Sequence, residues 1–165
     1  MIENRSYSLK ELKEIARSLN LPIEISLFKE ADFTNDNPKI LLIQSDQDPY
    51  TGHYVLLYNN NGITYFFDPS ATKPLQLFKQ YKLDQNEQDI TPFYNYLSNK
   101  EIDYNNHNYQ TKESKLCGLM CIVRYLYNDL TTDQFYKYMK LIKNKYGLKN
   151  MDETFIGVLN TIFQQ

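Results

Sequence analysis

The sequence contains no tryptophan, and only two cysteines and two histidines in its 165 residues. Two cysteines four residues apart, Cys117 and Cys121, exclude a disulfide framework. Only His53 and His107 could join them as ligands, and neither has finger-like spacing. No metal site and no cofactor is therefore expected. No apolar run approaches the ~20 residues that span a bilayer, and Met1–Ser6 lacks the apolar core of a secretory signal. The expectation is a non-membrane protein in a reducing, intracellular compartment. Neither sign of charge dominates: 18 Lys and Arg against 20 Asp and Glu leave a net charge of −2, which gives no global attraction to nucleic acid. Repeats, low-complexity tracts and dividing linkers are also missing, so residues 1–165 read as one domain.

What is present is an aromatic-rich chain, with 15 Tyr and 9 Phe, whose periodicity changes along its length. Ser8 and Glu11 form a capping box ahead of Leu9, Leu12, Ile15, Ala16 and Leu19, an amphipathic helix. Ile23, Ile25 and Leu27 alternate as a strand does, and Lys39–Gln44 is a short buried strand. Asp46–Gly52 reads as a loop. The clearest local signal is a hairpin: His53–Tyr58 and Ile63–Asp68 are β-rich runs joined through Asn61-Gly62. Leu75–Tyr81 and Pro92–Leu97 read as short helices with a polar segment, Asp84–Asp89, between them. Thr131 or Thr132 begins a helix that runs to Lys143 with Gly147 at its C-cap, and Asp152 caps a last one.

The polar run Asn105–Lys115 gives way to Leu116–Tyr127, nearly all apolar, with Arg124 its only charge. A helix apolar on every side is a buried one, and Ser114 is its candidate N-cap. Cys117 then lies in the first turn, where unpaired N–H groups and the helix dipole favour a thiolate. Two readings of Cys117 stay open at this point, a nucleophile and a small buried hydrophobe. Cys121, one turn deeper, reads as core.

A thiol nucleophile needs a base, a group that orients the base, and donors for the developing oxyanion. The outer ends of an antiparallel hairpin lie side by side, which brings His53 and Asp68 together as base and orienter. Gln110, seven residues before Cys117, can aim its amide at a carbonyl oxygen, with the Cys117 backbone N–H as second donor. Gly52 and Gly118 leave room for substrate beside these groups. His107 competes as the base but has only Asn105, Asn106 and Asn108 near it in sequence. Seven basic residues between Lys115 and Lys149 face only Asp129 and Asp133. This local excess reads either as a solvated helix face or, through Lys137, Lys140, Lys143 and Lys145, as a track for DNA.

The order His, Asp, Gln, Cys, with Gly52-His53-Tyr54, Phe67-Asp68 and Cys117-Gly118, resembles the adenovirus maturation protease and Ulp-type cysteine peptidase clan. The likeness spans about residues 40–130, and in size the chain is most like the compact capsid-maturation proteases of virophages and Maverick/polinton-type elements. The resemblance implies an α+β, papain-like or adenain-like fold, with a central Cys-bearing helix packed on a small, mostly antiparallel sheet. It makes Cys117 the nucleophile, His53 the base, Asp68 its orienter and Gln110 the oxyanion donor, with Gly52, Tyr54 and Gly118 at the substrate. It implies a monomeric endopeptidase acting on viral capsid or other precursor proteins, made in the infected cell and packaged in the virion. Two other activities use the same tetrad, a ubiquitin-like-modifier isopeptidase and an acyl-CoA-dependent acyltransferase. Tyr54 stands where the family usually has Trp. Only Cys117 and Cys121 are present, which leaves no extra cysteine for the disulfide-linked peptide cofactor of the adenoviral enzyme.

Overall fold

The computed structural model describes residues 1–45, 48–81 and 87–165. Helix α1 (Leu9–Ser18) starts at the expected capping box, in which Ser8 Oγ accepts from Glu11 N and Glu11 returns a bond to Ser8 N. Strand β1 (Glu24–Leu27) leads through a single 3₁₀ turn (Phe28–Glu30) to β2 (Lys39–Ser45), β3 (Asp48–Asn60) and β4 (Ile63–Phe67). Helices α2 (Pro74–Gln80) and α3 (Glu87–Leu97) then precede β5 (Ile102–Tyr104). Three helices close the chain: α4 (Cys117–Leu126), α5 (Thr132–Lys145) and α6 (Met151–Phe163).

The five strands lie in the order β1-β2-β3-β4-β5. The two central pairings, β2 with β3 and β3 with β4, are antiparallel, and the two outer ones are parallel. The architecture is thus α+β with a mixed sheet, which corrects the expectation of a mostly antiparallel one. The parallel edges arise because β1 reaches β2 through the 3₁₀ turn, and β4 reaches β5 through two helices, connections long enough to reverse direction. Of the loop expected over Asp46–Gly52, residues 46 and 47 lie outside the described residues, and the rest belongs to β3. Of the polar segment expected over Asp84–Asp89, residues 84–86 lie outside them. From Glu87 the chain is already α3, which continues through Pro92.

Side chains alternate across the sheet and each face has its own core. Ile40, Tyr54, Leu56, Tyr58, Tyr65 and Phe67 face α1, α4, α5 and α6. Leu41, Ile43, Val55, Leu57 and Phe66 face α2, α3 and the 3₁₀ turn, where Phe28, Phe78 and Phe93 meet with ring centroids 5.2–5.6 Å apart. The sheet is therefore the middle layer of three.

Helix α4 packs on β3, α6 and α1, and residues Gly118–Arg124 are all buried. Full burial of an Ile, Met or Val side chain is worth roughly 1.5–3 kcal/mol, so this helix is a main anchor of the first core. Its one charge is satisfied locally. The Arg124 guanidinium donates to Tyr127 O at 2.9 Å and Leu130 O at 2.8 Å, and lies over the rings of Tyr58, Tyr65 and Phe135. After it, Thr131 caps α5 with Gln134 in a second capping box, and Gly147 leaves the helix with φ +62°. Asn150, not the expected Asp152, caps α6.

Candidate active site

Cys117 is the first residue of α4 and is half-buried. The helix has Leu116 at its N-cap, with no side-chain cap bond, so the first turn keeps its N–H groups for other acceptors. Ser114 does not fill the capping role expected of it. Its hydroxyl donates instead to Asp152 Oδ1 at 2.7 Å. The Cys117 sulfur accepts from the backbone N–H of Tyr54 at 3.5 Å, which ties the head of α4 to β3.

The hairpin supplies the next two groups. The β3–β4 ladder ends at Leu56 and Phe67, but β3 runs on, still paired with β2, and His53 lies opposite Ile43. His53 falls on the same alternation as Val55 and Leu57, and Asp68 on that of Phe66, so the two side chains share a face beyond the last pair. They meet there: His53 Nε2 lies 2.6 Å from Asp68 Oδ1. An ionised carboxylate only accepts, so Nε2 carries the proton and Nδ1 is the nitrogen left for the thiol. The Cys117 side chain lies near enough to favour the charged form of the ring. Burial disfavours the imidazolium, but the hydrogen bonds and charges of Asp68 and Cys117 outweigh it and push His53 up to about 10.

Asp68 is fully buried, and several groups hold it. Ser70 N and Ser70 Oγ donate to its Oδ1 at 2.8 and 2.7 Å. The turn closes with Ala71 N on Asp68 O at 2.8 Å, with Ala71 in the left-handed region at φ 59°. Asn105, at the end of β5, braces the backbone from both sides: its Oδ1 accepts from Asp68 N at 2.9 Å and its Nδ2 donates to Asp68 O at 2.6 Å. Sequence reasoning missed both Asn105 and Ser70. Asn105 opens an Asn-rich polar run, whose composition reads as solvated loop and gives no signal of a buried clamp.

These groups open on a cleft of about 1190 Å³ lined in part by Cys117, His53, Gln110, Ser114 and Tyr81. Burial and the nearby charges of Cys117 and Asp68 push the Tyr81 phenol up to about 12. Gln110 Nε2 lies 3.4 Å from Ser114 Oγ, and Gln110 N donates to Asn108 Oδ1 at 2.8 Å. The cleft's other walls come from the first residues of the chain, Ser6–Leu9, and from Lys112 and Lys115. No described residue lining it is an Asp or a Glu.

The three residues expected at the substrate all line this cleft, in different ways. Gly52 is exposed there, and a Cβ on it would come within 2.7 Å of Leu42 Cδ1. Tyr54 contributes its backbone N–H, while its ring is buried. Gly118 is also buried, and the space a side chain would need is taken by Leu12 Cδ1 at 2.5 Å and Tyr54 Cδ2 at 3.1 Å. Its lack of a side chain serves the packing of α1 against α4.

His107, the competing base, is exposed and stacked on Tyr136 of α5 with ring centroids 3.6 Å apart, and it does not line the cleft. Lys137, Lys140, Lys143 and Lys145 all lie on α5, outside the cleft lining. Cys121 is fully buried, and burial pushes its thiol well up. Among the described residues, no group of three or more His, Cys, Asp or Glu side chains is arranged to hold a metal ion, and no helix is long and apolar enough to cross a membrane. Chemically, the cleft brings together a thiol, an imidazole whose charged form a buried carboxylate favours, and the Gln110 amide. Compared with known proteins, the chain matches no protein-family model and no curated protein.

Proposed function

We propose that this protein is a cysteine peptidase of the adenain-like and Ulp-like type, which cuts viral precursor proteins during capsid maturation. The observation that carries the reading is the series Cys117–His53–Asp68, with its 2.6 Å bond from imidazole to buried carboxylate at the mouth of a cleft. The order and short motifs of the sequence support the family, and the helix-on-sheet arrangement that presents the cysteine is compatible with its fold.

In this reading the Cys117 thiolate attacks the scissile carbonyl carbon and forms a C–S bond. The carbonyl oxygen takes the negative charge, facing Gln110 Nε2 and the Cys117 N–H. As the C–N bond breaks, His53 gives its proton to the leaving amine. His53 then takes a proton from water, the hydroxide adds to the thioester, and the C–S bond breaks to release the acid. The proton taken from water restores the imidazolium beside the thiolate. Asp68 keeps the ring oriented and stabilises its charged form throughout.

The test is co-expression of the chain with precursor proteins encoded beside it in its source genome, with mass spectrometry of their termini. A new terminus that disappears with Cys117→Ala is expected. Its absence in every such pairing, together with no cleavage of a peptide library, would overturn the reading. One observation favours a second reading: Lys112 and Lys115 line a cleft with no described carboxylate on its walls, which suits the phosphates of an acyl-CoA. Transfer of a labelled acyl group from acyl-CoA to a protein lysine, without peptide cleavage, would decide for an acyltransferase.

A further inference from the structure

Helix α6 reaches the cleft through a short polar chain. Asp152 sits in the first turn of α6 and is only 6% exposed. Its Oδ1 accepts from Ser114 Oγ at 2.7 Å, across 38 residues of sequence. Ser114 Oγ in turn lies 3.4 Å from Gln110 Nε2, and Ser114 and Gln110 both line the cleft with Cys117.

The donor inventory gives this chain a direction. An ionised carboxylate has no proton to give, so the Ser114 hydroxyl must spend its single hydrogen on Asp152. The oxygen of Ser114 is then left as an acceptor only. A primary amide can turn either its C=O or its NH₂ toward a neighbour, and the two ends are nearly equal in size. Beside an acceptor-only oxygen the C=O end would be repelled, so the NH₂ end must face Ser114. One Nε2–H points to Ser114 and the second stays with the same nitrogen. At 3.4 Å the contact is long for an N–H···O bond, so Ser114 sets which end of the amide is presented without holding the nitrogen tightly.

We infer that Ser114 and Asp152 are positioning residues that fix the Gln110 amide with its NH₂ end available to the oxyanion. The inference rests on the reading of Gln110 as oxyanion donor. It adds a contribution from the last helix to a site otherwise built from the hairpin, the loop before α4 and α4 itself. Without the relay the amide samples both orientations. In the flipped one its carbonyl oxygen faces the developing negative charge, which opposes the reaction in place of assisting it.

The experiment uses the full chain and 4-nitrophenyl acetate, a small acyl donor that asks only for attack by Cys117 and stabilisation of the oxyanion. Gln110→Ala should lower kcat on the order of 10²-fold, as loss of one oxyanion donor does. Ser114→Ala should lower kcat about 10–100-fold, the scale of a misplaced catalytic group, with KM nearly unchanged. Ser114→Thr, which keeps the hydroxyl, should stay close to wild type. In the Gln110→Ala background Ser114→Ala should cost nothing further, because there is no amide left to orient. Losses that multiply in the double variant, or a kcat unmoved by Ser114→Ala, would overturn the relay.

A second measurement needs no turnover. In Cys117→Ala protein labelled with ¹⁵N at glutamine side chains, the paired Nε2–H signals of Gln110 should shift and broaden on Ser114→Ala. Unchanged signals would overturn the relay even where the peptidase reading stands. Shifted signals together with a Gln110→Ala variant of full activity would instead remove the oxyanion role while leaving the hydrogen-bond chain intact.

Discussion

At the scale of single residues, the decisive feature is the protonation of His53. Its pKa is raised from 6.5 to about 10, so the imidazolium persists below that value and is lost as pH rises through it. If the thiolate–imidazolium pair is the working form, the alkaline limb of kcat/KM follows the loss of that proton. Asp68→Asn keeps an oxygen that can accept from Nε2 but removes the negative charge that favours the charged ring. The sign is therefore downward: the alkaline limb should move to lower pH by roughly 1–3 units, with kcat reduced on the order of 10²-fold. A pH–rate profile of the two proteins checks this, and a limb that stays in place would remove Asp68 from the role. The two thiols offer a parallel test. Cys117 is half-buried and lines the cleft with His53, whereas Cys121 is fully buried with its thiol pushed well up. Iodoacetamide near pH 6.5 should label Cys117 quickly and Cys121 hardly at all in the native protein. Peptide-resolved mass spectrometry reads the rates, and an unfolded control should label both alike. Equal native rates would mean that the thiol at the head of α4 has no special environment.

At the scale of elements, what holds the site is the packing of α4 between β3 and α1. The closest approach is at Gly118, where a Cβ would come within 2.5 Å of Leu12 Cδ1. Gly118→Ala should therefore destabilise the fold by about 1–3 kcal/mol, in spite of alanine's better helix propensity. Leu12 is fully buried, and Leu12→Ala should cost about 2–5 kcal/mol alone. The double variant should cost clearly less than the sum, because the added methyl enters the space that Leu12 vacates. Urea denaturation of the four proteins measures the coupling, and strict additivity would show that Gly118 does not seat α1. This contact also marks where the sequence stopped being legible. The capping box at Ser8, the Asn61-Gly62 hairpin and the buried helix after Cys117 are local signals, each readable within a few residues, and the start of α5 was legible to within one residue, at Thr131 or Thr132. The hairpin also foretold the approach of His53 to Asp68, since His53 lies on the first of the strands it joins and Asp68 directly follows the second. Strand β5 could not be read: it is three residues long, half-buried, and exists only because β4 offers it an edge. The start of β3 was hidden by Pro49 and Gly52, and the turn preference of Gly52 is overridden by its pairing with Gln44 of β2. Asn105 and Asp152 reach the site only through tertiary contacts, so no spacing in the sequence pointed to them.

At the scale of the whole molecule, the last helix holds the N-terminal arm whose next residues line the cleft. Ile2 N donates to Asn160 Oδ1 at 2.8 Å and Asn160 Nδ2 donates to Ile2 O at 3.1 Å, so α6 grips the N-terminal arm with one side chain. Ile2 itself is buried in the core beneath α6. The arm then runs to Ser6–Leu9, which form part of the cleft wall, and Tyr54 Oη donates to Tyr7 O at 3.4 Å. The last helix thus acts on the cleft from two directions, through Asp152 at its start and through Asn160 near its end. Asn160→Ala removes both bonds to the arm and leaves Cys117, His53, Asp68 and Gln110 untouched. A wall that loosens weakens substrate binding in ground state and transition state alike, which raises KM and spares kcat. The expected result is a severalfold rise in KM at constant kcat, of the size that the loss of about 1 kcal/mol of hydrogen bonding gives. Hydrogen exchange should quicken at residues 2–8 and stay unchanged in β3 and α4. A fall in kcat with KM unmoved would mean that the arm acts on the chemistry, and slow exchange at residues 2–8 in the variant would mean that Ile2 alone secures it.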